Sequence, residues 1–365
     1  MQRVFRNRVE QGLSTKRYLF YIAQNYAYAM LRPLQDAILA RGDQVYWFLE
    51  GSEVNPNHLK STELRWHSVA DVIAWQPDVA FVPGNVVPSF IPGLKVALFH
   101  GFDTGKRKSE GNKGHFAIRN CFDLYCTQGP STTGRFQELA KQHGHFEVVE
   151  TGWAALDPLF KPMADNPYMS QDGRKTVLMC STFSKQISCA RTLFDTVKDL
   201  MATDEWRWLI QFHPKMEPEV VQMYQALCDE MPNAQFIETD NVLPLLTAAD
   251  VMLCDTSSIV LMFLMLQKPV VTFNNKVPGP HLYNITDAAE VHHALTHALT
   301  YPAALMQGIA DYTQSLHPYR DGHSSERVLA AVDNLLAKGT SHLKAKPSNL
   351  IRHLKMRKKL GYWKI

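Results

Sequence analysis

The residues of this chain best suited to chemistry are two histidines and one run of small polar side chains. Asp255-Thr256-Ser257-Ser258 stands between an apolar strand at 251–254 and an apolar helix that begins at once. A helix start leaves backbone N–H groups unpaired and carries the positive end of the dipole, so this turn is an anion site, and phosphate is the usual occupant. Adjacent hydroxyls after an Asp exceed what a single N-cap needs. His100 follows the apolar run 96–99 and precedes Gly101, and His213-Pro214-Lys215 follows 208–212. Ligands of open α/β sheets bind beyond the carboxyl ends of strands. An imidazole there can take a proton near neutral pH, or donate to a phosphate oxygen.

Two more segments carry weaker signals. The loop 102–114 holds Lys106, Arg107, Lys108 and Lys113 among glycines, a basic flap able to neutralise phosphates. Between His317 and Arg327, Asp321-Gly322 makes a turn, and Ser324 and Ser325 open another helix as a second candidate anion site. Each feature also has a plain structural counterpart: a strand-capping histidine, a solvated loop, a capped helix that binds nothing.

These residues need elements to position them, and the patterning supplies an α/β alternation. Strands are predicted at 17–22, 44–50, 78–82, 94–99, 122–127 and 146–149, with helices at 26–40 (kinked or restarted at Pro33), 69–75 and 131–142. Residues 157–174 read as a linker, with Pro158, Pro162, Pro167 and Gly173 and no periodicity. The alternation then restarts: strands at 176–180, 206–212, 235–238, 251–254 and 270–273, helices at 185–202, 219–229, 242–249 and 324–337. Such alternation implies two mostly parallel sheets covered on both faces. The expected architecture is GT-B-like, two doubly wound Rossmann-like domains facing a central cleft. The expected boundaries are 1–156, a linker 157–174, a second domain 175–340 and a basic tail or helix 341–365.

The bulk numbers narrow the class. A chain of 365 residues, 45% hydrophobic and 20% charged, is an ordinary two-domain globular protein. Its six cysteines show no paired or zinc-type spacing, which predicts a reducing, cytoplasmic compartment, no metal site and no cofactor. No signal peptide or membrane span is expected. Net charge is +3, and no nucleic-acid module is visible. Residues 341–365, however, hold eight Lys/Arg and no Asp or Glu. They suit either attachment to an anionic membrane surface or a terminal helix packed on the N-terminal domain.

In order along the chain, His100-Gly101, Thr151-Gly152, Ser181-Thr182-Phe183, His213-Pro214, Asp255-Thr256-Ser257-Ser258, Lys268-Pro269-Val270-Val271 and Asp321-Gly322-His323-Ser324-Ser325-Glu326-Arg327 resemble the CDP-glycerol glycerophosphotransferase family, which includes teichoic-acid primases and polymerases. The resemblance covers roughly 94–335. Phe102-Asp103 after His-Gly and Trp153-Ala154-Ala155-Leu156-Asp157 after Thr151-Gly152 depart from the family pattern, on the acceptor side.

The resemblance implies a GT-B fold and transfer of glycerol phosphate, or a related polyol phosphate, from CDP-glycerol or CDP-ribitol to a saccharide or lipid-linked hydroxyl, releasing CMP. It implies an acceptor-side N-terminal domain and a CDP-binding C-terminal one; the cysteines and the basic tail, rather than the resemblance, point to the cytoplasm and to the inner face of the cell membrane where the tail binds it. His100 would be the general base and His213 would steady the pyrophosphate. Thr182, Ser257, Ser258 and Ser325 would hold phosphate oxygens. Phosphoryl transfer needs positioning and charge neutralisation more than covalent chemistry. The alternatives are a GT-B glycosyltransferase or non-hydrolysing UDP-sugar epimerase, and a nucleotide-binding protein without catalysis.

Overall fold

The computed structural model describes residues 15–102, 114–163, 165–239 and 241–363. It divides into two compact units, Met1–Pro158 with Leu316–Ile365, and Leu159–Ser315.

The first unit is built on a seven-stranded sheet. Its strands are β1 (Arg17–Ile22), β2 (Gln44–Leu49), β3 (Arg65–Trp66), β4 (Val79–Val82), β5 (Leu94–Ala97), β6 (Leu124–Thr127) and β7 (Glu147–Glu150). Their order is β3-β2-β1-β4-β5-β6-β7, and every pairing is parallel. The sequence after β1 first builds outward through β2 and β3, then returns to place β4 on the other side of β1. That reversal opens a crevice at the carboxyl ends of β1 and β4. β1 and β4 are almost wholly buried, as helices on both faces require. Helix α1 (Ala27–Ala40) runs unbroken through Pro33. Helix α2 (Val69–Trp75) starts in a full capping box from Ser68 and Asp71. Helix α3 (Pro130–His143) ends on Gly144 in the left-handed region.

The second unit repeats the plan with six parallel strands: β8 (Thr176–Ser181), β9 (Arg207–Phe212), β10 (Ala234–Phe236), β11 (Val251–Cys254), β12 (Val270–Phe273) and β13 (Tyr283–Ile285). Their order is β10-β9-β8-β11-β12-β13, so the reversal falls between β8 and β11. Helices α4 (Phe194–Ala202), α5 (Pro218–Glu230), α6 (Leu243–Ala248), α7 (Ile259–Met265), α8 (Val291–Ala298) and α9 (Ala303–Leu316) accompany it. Two Rossmann-like doubly wound units are the architecture the alternation implied.

The division of the chain differs from the expected 175–340. After Ser315 the chain returns to the first unit, bringing α10 (Ser324–Lys338) and α11 (Leu350–Leu360) with it. The reason is burial. Val328, Leu329, Val332 and Leu335 of α10 share one core with Tyr18, Phe20, Leu31 and Trp47. The expected linker is partly structured as well. A 3-10 helix, Ala154–Phe160, buries Leu156 and Leu159.

Candidate functional site

In the first unit, His100 sits at the sheet's reversal. β5 carries it to the carboxyl edge, and the preceding Phe99 adopts φ 53°, which turns the chain there. The imidazole lies against the Tyr26 ring, 5.6 Å between centroids, in the connection after β1. Its Nδ1 lies 3.3 Å from the Pro83 carbonyl, just past β4. A carbonyl only accepts, so Nδ1 carries a proton, and in the neutral ring the lone pair is on Nε2. The side chain is exposed. A described atom meets no Cβ built on Gly101, so no close approach there demands a glycine. Lys106 and Arg107 lie outside the described residues.

The second expected anion site, at Ser324 and Ser325, is also in the first unit and already holds an anion. Asp157 accepts from the Ser324 N–H at 2.8 Å and the Ser325 N–H at 2.7 Å. All three residues are buried. An internal carboxylate thus satisfies the start of α10, as an exogenous phosphate would. Beside it, His317 is fully buried and its Nε2 accepts from the Trp153 N–H at 2.9 Å. Burial pushes the His317 imidazolium down to about 4, so the ring is neutral. Gly152 at φ +78° threads this knot; a Cβ there would meet Ser324 Oγ at 2.5 Å and Tyr319 at 2.9 Å.

In the second unit, Asp255-Thr256-Ser257-Ser258 splits in two. Asp255 is fully buried and faces inward across the β8–β11 reversal. It accepts from Ser181 Oγ at 2.6 Å, from the Thr182 N–H at 3.0 and 3.1 Å, and from the Cys189 N–H at 3.1 Å. Burial raises its carboxyl above the usual range, against these donors. Thr256 is also buried, and its Oγ1 accepts from the Lys276 N–H at 2.9 Å. Two of the four expected anion ligands are therefore internal fasteners, spent on holding three loops. Ser257 is half-buried and Ser258 exposed, at the entry to α7. Among the described residues, neither hydroxyl has a hydrogen-bond partner, and Ser258 does not cap the helix.

His213 stands past the end of β9, exposed, with its ring 4.5 Å from that of Phe183. The Lys215 N–H donates to its Nδ1 at 3.0 Å, so the proton of the neutral ring sits on Nε2. Burial first, and the Lys215 charge second, hold the imidazolium below its ordinary value. His213 is thus an outward N–H donor at neutral pH, opposite in tautomer to His100. Thr182 follows β8 and presents its half-buried side chain beside Phe183. The reversal of this sheet is flanked by Thr182, Phe183 and His213 on one side and Ser257 and Ser258 on the other. Sequence reasoning missed the ring partners Tyr26 and Phe183 as site residues. Phe183 carried a signal, as the end of the Ser181-Thr182-Phe183 run past a strand.

No family model matches the sequence, and no curated protein matches it. Solved structures match over most of the chain. A putative UDP-N-acetylglucosamine 2-epimerase from Listeria monocytogenes matches with a TM-score of 0.63 at 12% identity, over 89% of this chain and 98% of that one. S. aureus MnaA, in a co-structure with UDP, matches with a TM-score of 0.59 at 16% identity, over 92% and 100%. The wall teichoic acid polymerase TagF matches with a TM-score of 0.61 at 14% identity, over 92% and 94%. At these identities the likeness shows the fold: two Rossmann-like units of the GT-B kind.

Proposed function

We propose that the protein transfers glycerol phosphate, or a related polyol phosphate, from a CDP-activated donor to a hydroxyl acceptor in cell-surface polymer synthesis, releasing CMP. The observation that carries this reading is the pair of opposite imidazole tautomers at the two sheet reversals. His100 keeps a lone pair on Nε2, as a base for the acceptor O–H must. His213 keeps an Nε2–H, as a donor to a diphosphate oxygen must. In the proposed step the acceptor oxygen attacks the phosphorus that bears the polyol and loses its proton to a base, the role that the His100 tautomer suits. The bond to the CMP oxygen breaks, and the charge on that oxygen is met by His213, Ser257, Ser258 and Thr182. TagF, one of the structural neighbours, was also determined after soaking with CDPG, which supports a CDP-linked donor.

A second reading is a UDP-sugar enzyme, because UDP-GlcNAc 2-epimerases share the fold. One calorimetric series with CDP-glycerol, CDP-ribitol, UDP-GlcNAc and UDP-glucose separates the two. Preferential binding of a CDP-polyol together with CMP release supports transfer. Preferential binding of UDP-GlcNAc together with isomerised product replaces that reading with the second. Within the first reading, His100→Ala lowers CMP release by about 10²–10⁴ and leaves donor affinity nearly unchanged. His213→Ala weakens both donor affinity and rate. Near-normal turnover in His100→Ala removes the base.

A further inference from the structure

Helix α11 lies on the first unit through Arg352, His353, Met356, Arg357 and Leu360, and turns a second set of apolar side chains outward. Arg357 stacks over the Phe90 and Tyr362 rings, His353 Nδ1 lies 2.8 Å from Ser89 Oγ, and Lys359 pairs with Glu50. None of the helix is buried. Leu350, Ile351 and Leu354 are 73%, 70% and 55% exposed. At 100° per residue, these three share one arc with the exposed Lys355 and Lys358. Trp363, also exposed, follows the helix. Long apolar side chains flanked by lysines, with a terminal Trp, are the composition of a helix that lies in a bilayer interface.

A cavity of about 390 Å³ opens between the start of this helix and the body of the same unit, with Leu350 in its lining. Lys95, Lys346 and Arg352 line it, and among the described residues its lining holds no carboxylate. Lys346 pairs with Asp123 at 2.6 Å. Lys95 Nζ has the Gly93 carbonyl at 3.0 Å, and Arg352 donates to the Arg119 carbonyl. Asp123 meets the Lys346 charge, whereas the carbonyls satisfy Lys95 and Arg352 without cancelling theirs. Burial first, and the Lys346 charge next, hold the Lys95 ammonium down at about 8, although the Asp123 carboxylate opposes them. Asn120, with φ 55°, turns its Oδ1 into the protein beside the cavity without a partner.

We propose that this face docks on an anionic phospholipid surface, with a headgroup phosphate in the Lys95–Lys346–Arg352 cavity and Leu350, Ile351, Leu354 and Trp363 in the acyl boundary. The outward apolar arc supplies insertion, and the cavity supplies selection for negative charge. The proposal does not rest on the reaction proposed above. A chain that releases CMP and ignores vesicles overturns this inference alone.

The test is sedimentation of the full chain with phosphatidylcholine vesicles, and with vesicles carrying about 30 mol% phosphatidylglycerol. Binding is expected to the second only, and to weaken with salt. The triple variant L350S/I351S/L354S changes only exposed side chains, and circular dichroism checks that its helix remains. It is expected to lose binding by at least about tenfold. Arg352→Gln is expected to reduce the preference for phosphatidylglycerol. Equal binding to both vesicles, no binding to either, or full binding by the triple variant overturns the proposal. An unchanged lipid preference in Arg352→Gln overturns the assignment of the headgroup to the cavity, and binding of inorganic phosphate in place of vesicles overturns the bilayer as occupant.

Discussion

Asp255 offers the sharpest test of how the second unit holds its site together, because its two natural replacements should fail by different amounts. In Asp255→Ala three donors lose their acceptor. Ser181 Oγ can turn wholly to Ser188 Oγ, already 2.8 Å away. The Cys189 N–H is buried and has no such escape, whereas the half-buried Thr182 N–H can be reached by water. An unsatisfied buried donor costs about 1–3 kcal/mol, so one full and one partial loss, with the small cavity, amount to roughly 2–4 kcal/mol. In Asp255→Asn the amide oxygen can replace Oδ2, which receives all three donors. The new NH₂ then meets the Thr182 N–H where Oδ1 stood at 3.1 Å. One donor-against-donor contact costs roughly 1–2 kcal/mol. The assay is urea unfolding, followed through the second unit's buried Trp206 and Trp208, with nucleotide affinity measured in parallel. Affinity should fall in both variants, more in Ala, because Thr182 and Ser257 lose their common anchor. Asp255→Ala with wild-type stability and affinity would refute the fastener role. So would Asn proving worse than Ala.

In the first unit, Asp157→Ala strips two buried amides of their acceptor and should cost roughly 2–6 kcal/mol in urea unfolding; a loss under about 1 kcal/mol would show that Asp157 is not the anion this helix start requires. His317 supplies a pH dependence. Its folded value near 4 lies below the unfolded 6.5, so the stability it contributes is full above 6.5 and is lost as pH falls toward 4. That window is worth about 3 kcal/mol. His317→Gln can still accept from the Trp153 N–H, so its stability should change less between pH 6.5 and 4, and identical pH profiles would count against a neutral buried ring.

What was legible in the sequence follows from how local each signal is. The strands Arg17–Ile22 and Val251–Cys254 appear at their predicted bounds because a buried parallel strand is a continuous apolar run that needs no partner to be recognised. The helix expected at 185–202 begins only at Phe194. The segment before it is held in turns by its own contacts and by the Cys189 N–H bond to Asp255, a tertiary tie. β3 has two residues, too few to show any period. His100 and His213 were visible because both end strands. The roles of Asp255 and Ser325 were not, since local sequence shows that a helix start needs an anion but not which one. Asp157 lies 168 residues from Ser325.

The return of the chain after Ser315 makes the second unit an insertion within the first. On the ribosome, the usual order of domain completion is therefore inverted. Leu159–Ser315 can close its sheet while the earlier strands still lack α10, whose Val328, Leu329 and Val332 finish their core. Until residue 338 has emerged, Tyr18, Phe20 and Leu31 keep an open apolar face, and the nascent first unit is the part that needs shelter from aggregation. A fragment cut at 340 would carry α10 away from its own core, whereas one cut at Leu159 and Ser315 follows the seam along which the protein is built.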